Sequence, residues 1–90
     1  MLTPLTTTTF IKDFKRIVIK GKKDPLKLKY IMTQLQNEEL LERKYKDHKL
    51  AGDWHNCREC HIEPDWLLIY KVVYPNIIFE RMGAHSDLFK

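Results

Sequence analysis

Apolar residues recur every three to four positions in two early stretches of the chain, and a later stretch replaces that period with continuous or alternating apolar runs. Helices are therefore expected first and a sheet after them. Phe10, Phe14, Ile17 and Val18 form the first helical stripe, with Thr8 or Thr9 as its cap and Gly21 as its stop. Asp24 followed by Pro25 marks a second start, the carboxylate accepting from free amides and the proline pre-setting φ. Leu28, Ile31, Met32 and Leu35 make its apolar stripe, with Lys22, Lys23, Lys27 and Lys29 beside or outside it. The two helices are expected to pair as a hairpin and lay their stripes on a sheet. Ahead of them, residues 2–9 are rich in threonine and contain Pro4, which suits only an edge strand or an entry segment.

Residues 37–56 keep no sustained period and read as a short helical end followed by a long basic loop with Arg43, Lys44, Lys46 and Lys49. From Asn56 the pattern is extended. A strand is expected near 57–62, then a turn at Glu63-Pro64-Asp65, then Trp66 to Val73 as a central strand buried on both faces. Tyr74-Pro75-Asn76 gives the next turn, with the proline at its first central position, and Ile77 to Met82 a further strand that Gly83 ends. The tail suffices for one helical turn, which puts His85 and Phe89 on the same side. The expected fold class is α+β: an N-terminal helical hairpin on a small, mostly antiparallel sheet of about four strands.

Ninety residues, 43% apolar and 31% charged, fit one globular domain spanning 1–90. No apolar run approaches the roughly 20 residues a bilayer requires, and no charged segment followed by an apolar one opens the chain, so no membrane partner and a cytoplasmic location are expected. Two cysteines separated by two residues do not resemble a secreted disulfide framework and fit a reducing compartment. The net charge of +4 is unevenly placed: residues 1–52 carry 12 Lys and Arg against 6 Asp and Glu, residues 53–90 only 4 against 6. The basic half fits an anionic partner such as nucleic acid, or equally a solvated basic helix face.

Candidate chemistry gathers between Asp47 and Tyr70, which hold three of the four histidines, both cysteines and both tryptophans. Cys57-Arg58-Glu59-Cys60-His61 has the spacing of a c-type haem attachment site, but it falls in extended sequence. His55, Cys57, Cys60 and His61 are the right residue types for zinc, yet strand alternation sends Cys57 and Cys60 to opposite faces. The two cysteines therefore read as small apolar fillers, and neither metal nor cofactor is expected. His48, His61, Asp65 and His85, with Arg58 and Arg81, form a third set. RNA transesterification needs a base for the 2′-hydroxyl, an acid for the leaving 5′-oxygen, and cations for the phosphorane. Histidine suits the first two roles and arginine the third. A hairpin turning at Pro64 can bring a strand end, the turn carboxylate and the C-terminal turn to one edge.

These residues also carry a resemblance. Tyr45-Lys46-Asp47-His48, Leu50, Gly52, Trp54, the run Arg58 to Tyr70, Phe79-Glu80-Arg81 and the run Gly83 to Phe89 resemble the YafQ branch of the RelE/ParE toxin superfamily. That resemblance implies a RelE-like fold and a bacterial type II toxin: a ribonuclease that enters the ribosomal A site, contacts ribosomal RNA and mRNA there, cuts the mRNA, and is neutralised by a cognate antitoxin of ribbon-helix-helix type. It places catalytic histidines at His48, His61 and His85 and the acidic residue at Asp65. It places substrate contacts at Arg58, Arg81 and Phe89. The sequence departs from the family pattern at Cys57, Cys60 and Trp54-His55-Asn56, to which no role carries over. The alternative is a binding module of the same fold that keeps only antitoxin and operator contacts, without catalysis.

Overall fold

The computed structural model describes residues 1–89. Strand β1 (Thr3–Thr6) leads into helix α1 (Thr8–Phe14), which continues as π-helical turns over Lys15–Lys20, and helix α2 (Pro25–Gln36) follows. Then come β2 (His48–Lys49), β3 (Arg58–Glu63), β4 (Trp66–Val73), β5 (Asn76–Gly83) and a single-turn helix α3 (His85–Leu88). The sheet runs in the order β1-β5-β4-β3-β2 and is antiparallel except for β1, which lies parallel to β5. Among the described residues no helix is long and apolar enough to cross a membrane.

The sheet has five strands rather than about four, because His48 and Lys49, placed above in a loop, pair with Glu59 and Arg58. Two residues are too few to leave an alternating pattern. The cap of α1 is Thr7, one residue earlier than expected: its hydroxyl accepts from the Phe10 amide at 2.9 Å and donates to the Glu80 carbonyl at 2.8 Å, a partner 73 residues away. Gly21 ends the helical stretch as expected, and close approach dictates its identity, since a Cβ there would lie 2.5 Å from the Ile17 carbonyl oxygen. Asp24 caps α2 through the Leu26 amide, with Pro25 in the first turn. In the β4–β5 turn Pro75 takes the second central position with a cis Tyr74-Pro75 bond, not the first.

Both faces of the sheet are covered. On one side Phe10, Val18, Leu28, Ile31 and Leu35 from the helices pack on Cys60, Ile62, Trp66, Leu68, Tyr70, Ile77, Phe79 and Met82. On the other, Cys57, Leu67, Ile69 and Leu88 cluster with Leu50 and Trp54 from the long loop. Cys57 and Cys60 thus lie in the cores of opposite faces, both buried and both free, as small fillers. Central β4 is buried on both faces from Trp66 to Tyr70.

β1 pairs with β5 only as far as Phe79, so the Met82 amide has no strand partner on that side. The buried Asp13 of α1 supplies one: its Oδ2 accepts from Met82 N at 3.1 Å and from Arg81 Nε at 2.9 Å, while its Oδ1 accepts from Arg81 Nη2 at 3.1 Å and Arg16 Nη2 at 3.2 Å. Burial pushes the Asp13 carboxyl up, but the Arg81, Met82 and Arg16 hydrogen bonds together outweigh it and hold the group below its ordinary value. Arg16 goes on to Asp87 Oδ2 at 3.3 Å, and that same oxygen accepts from the Ala84 amide at 3.0 Å. One chain of charges therefore ties the first helix to the last.

Candidate active site

Three histidines from three elements converge on the face of the sheet opposite the helices. The His61 ring lies between the other two, its centroid 6.3 Å from that of His48 and 5.7 Å from that of His85. The cause is register: β2 sets His48 opposite Glu59, and strand alternation puts Glu59 and His61 on the same face. The two-residue Pro64-Asp65 turn then brings a carboxylate to the N-terminus of α3, where Asp65 Oδ1 accepts from the His85 amide at 3.0 Å and lies 3.2 Å from His85 Nδ1. The backbone bond first, and then the side-chain bond, hold the Asp65 carboxyl below its ordinary value.

Each imidazole is anchored through Nδ1. His48 Nδ1 lies 2.6 Å from the Lys46 carbonyl and His61 Nδ1 lies 3.2 Å from the Pro64 carbonyl, contacts that assign Nδ1 as the protonated donor. Nε2 is then the atom left for chemistry on all three rings. In His48 and His61 it faces one acceptor, Glu59 Oε1, at 3.6 and 3.4 Å. Glu59 is 3% exposed, and its other oxygen, Oε2, is buried without a hydrogen-bond partner among the described residues. A buried carboxylate oxygen left bare is costly unless a proton or a donor arrives there. Sequence reasoning passed over Glu59. The signal that could have found it is the Glu-x-His spacing on a strand, which puts both side chains on one face.

His48, His61, Asp65 and His85 are thus brought together, and Phe89 joins them, its ring 6.0 Å from that of His85 and 39% exposed. The arginines are not. Arg58 pairs with Tyr70 across the sheet, on the face opposite Glu59 and His61, and gives its Nε to Asp47 at 3.2 Å. Arg81 gives two nitrogens to Asp13. Among the described residues neither arginine bonds a histidine or Asp65. Strand alternation turns Arg58 to the other face, and Arg81 extends to Asp13 of α1 beyond the end of the β1 pairing.

Glu59, His61 and His85 also present one ligand atom each, all within 4.8 Å of one another. Two imidazoles and a carboxylate suit a divalent transition metal such as copper or zinc. His55 and the cysteines have no place in this group.

Known proteins resemble this chain in sequence and in fold. The family of bacterial toxins of type II toxin-antitoxin systems, YafQ, matches residues 2–90. The mRNA interferase toxin YafQ of Escherichia coli strain K12 is 49% identical over 81 residues, which are 89% of this chain and 87% of the relative. A copper-bound mutant toxin from Helicobacter pylori superposes with a TM-score of 0.93 at 38% identity, covering 99% of this chain and all of the other. The crystal structure of the E. coli DinJ-YafQ complex gives 0.89 at 43% identity, with both chains fully covered.

Proposed function

The chain belongs to the YafQ family of type II toxins, and from that premise we propose that it is an mRNA interferase, an endoribonuclease that works by proton transfer between histidines. The observation that carries this reading is the convergence of His48, His61 and His85 around two carboxylates. Transesterification removes a proton from the 2′-hydroxyl and delivers one to the leaving 5′-oxygen, with phosphorus between. The cluster provides two separate proton stations: Glu59 with His48 and His61, and Asp65 with His85. Nδ1 of each ring is held, so each Nε2 takes or gives a proton at a fixed place. The phosphorane charge falls to the imidazoles, with Arg58 and Arg81, each oriented by a carboxylate, Asp47 and Asp13, as the further phosphate contacts. Phe89, beside His85, offers a ring on which a base can stack. A binding module without catalysis leaves this convergence unexplained.

A cognate antitoxin is the partner, as in the relative's DinJ-YafQ complex. Its finer character, a ribbon-helix-helix protein, is what the family resemblance implies, and the basic N-terminal half suits an acidic antitoxin segment laid across the lysine-rich helices. Cleavage in the ribosomal A site, with ribosomal RNA as a second contact and the cytoplasm as the place of action, completes the reading. Inducing the chain in bacteria and mapping mRNA 5′ ends tests it: new ends within coding sequences are expected, suppressed by coexpression of the antitoxin. A transcriptome without new ends overturns it.

No metal is needed, because imidazoles carry both proton transfers. A copper ion held by Glu59, His61 and His85 would take up the imidazole lone pairs that the transfers use. EDTA is therefore expected to leave the cleavage rate of the purified toxin unchanged, and Cu²⁺ to lower it at least tenfold; loss of activity in EDTA restored by metal would refute the assignment.

Gly83 is a second point of test. A Cβ at this position would sit 3.0 Å from Asp87 Oδ2 and 3.1 Å from Asp87 Cβ, displacing the carboxylate that holds the Ala84 amide and hence the start of α3. Gly83→Ala is expected to lower cleavage roughly 10- to 100-fold, since an ångström of misplacement has that scale of effect. Nuclear magnetic resonance should show the His85 imidazole signals shifted and those of His48 unmoved.

A further inference from the structure

β2 pairs with only the first two residues of β3, so the edge of β3 beyond Glu59 is left without a strand. A cavity of about 620 Å³ opens there, between that edge and the first turns of α2, large enough for a small organic ligand. His61, of the histidine cluster, lines it together with Pro64, whose carbonyl anchors that ring, so the cavity adjoins the histidines. Its most prominent feature is an aromatic pair: Tyr30 of α2, 47% exposed, lies 6.5 Å from Tyr45, with the rings tilted at 49°. Lys44 Nζ sits 5.1 Å from the Tyr45 ring centroid.

The charges on the rim favour an anion. Of the two carboxylates lining the cavity, Asp24 is committed to capping α2, and Glu63 accepts from both Lys23, at 2.7 Å, and Lys27, at 2.9 Å. Lys44 reaches only the exposed Glu42, at 3.9 Å, and Lys46 has no ion-pair partner among the described residues. An exposed aromatic face with free lysines beside it is the pairing that binds single-stranded nucleic acid: the ring takes a base and the ammonium groups take phosphate.

We propose that this cavity is a nucleobase subsite, in which Tyr30 stacks on a base of the RNA strand next to the cleaved bond while Lys44 and Lys46 hold its phosphates. The proposal rests on the ribonuclease reading above and adds to it where the strand runs: from the histidines past His61 toward α2. Tyr30 and Lys46 are then binding residues that act on KM and on sequence context rather than on the proton transfers.

The test compares the wild type, Tyr30→Ala and Tyr30→Phe on ribosome-bound mRNA, with the natural nucleotide or an abasic one on either side of the cleaved bond. Tyr30 is half exposed, so both variants should fold, which a thermal melt verifies. Expected for Tyr30→Ala is a KM raised about tenfold or more with kcat within about twofold, and for Tyr30→Phe near wild-type values. At one flanking position the abasic nucleotide should raise KM for the wild type and not for Tyr30→Ala, because each change removes the same contact. Equal KM in wild type and Tyr30→Ala, or additive effects of the two changes at every position, overturns the subsite. Unchanged cleavage by Tyr30→Ala with weakened antitoxin binding gives the cavity to the antitoxin instead. A wild type that leaves every mRNA intact refutes the ribonuclease reading, and the subsite falls with it.

Discussion

Replacing His85 by alanine should lower the rate of RNA cleavage by roughly 10²- to 10⁴-fold, the range a positioned acid or base contributes, and leave the melting temperature within a few degrees of the wild type. The imidazole is 57% exposed, so its removal opens no cavity. The His85 backbone amide still bonds Asp65, and Asp87 still holds the Ala84 amide, so α3 keeps its place. Only the second proton station is lost. Single-turnover cleavage with thermal melts of the same preparations measures both quantities. Full activity would remove His85 from the mechanism, and a large fall in melting temperature would make it a packing residue.

The largest effect on stability is expected at Asp13. Its carboxylate is buried, 4% exposed, and serves Arg81, Arg16 and the Met82 amide at once. Removing it leaves the buried Met82 amide without an acceptor and the partly exposed Arg81 and Arg16 without their shared anion, and Asp13→Ala should cost about 2–4 kcal/mol. In a domain of this size that is about 10 °C or more in melting temperature. The pH dependence has a definite sign. The folded carboxyl titrates below its ordinary value of 3.8, so its contribution is complete above the unfolded pKa and is lost as the pH falls through the folded one. Asp13→Asn has no carboxyl to protonate and should show a shallower loss of stability in acid than the wild type. Asp65, Glu63 and Asp87 are depressed too, but Asp65 is exposed and the other two are partly exposed, so solvent screens them and they contribute less. Denaturant melts between pH 2 and 6 would show this; identical acid limbs in wild type and Asp13→Asn would refute the assignment.

Much of this architecture is legible in the chain because the signals are local. The stripe Leu28, Ile31, Met32, Leu35 after Asp24-Pro25 fixes α2, and the apolar run from Trp66 fixes the central strand. The meeting of His61, Asp65 and His85 follows from a two-residue turn and a short terminal helix. What escaped depends on partners far away in sequence. Thr7 is the cap because its hydroxyl also reaches Glu80, and no propensity separates it from Thr8 or Thr9. Arg81 carries the residue type a phosphate contact needs, but its anchor, Asp13, lies 68 positions away in sequence. Glu59 was hidden differently: a carboxylate in a strand reads as a solvent-facing residue until β2 and the neighbouring histidines bury it. Residue type gave the kind of chemistry, and register decided which residues take part.

The central claim is that RNA is cut by proton transfer through its own 2′-hydroxyl. A substrate with a 2′-deoxy nucleotide at the cleaved position, on ribosomes where the all-RNA message is cut, tests it most directly. The account predicts no cleavage at that position, and a 2′,3′-cyclic phosphate with a free 5′-hydroxyl as the products from the unmodified message. Cleavage of the 2′-deoxy message, or fragments bearing a 5′-phosphate, would contradict it.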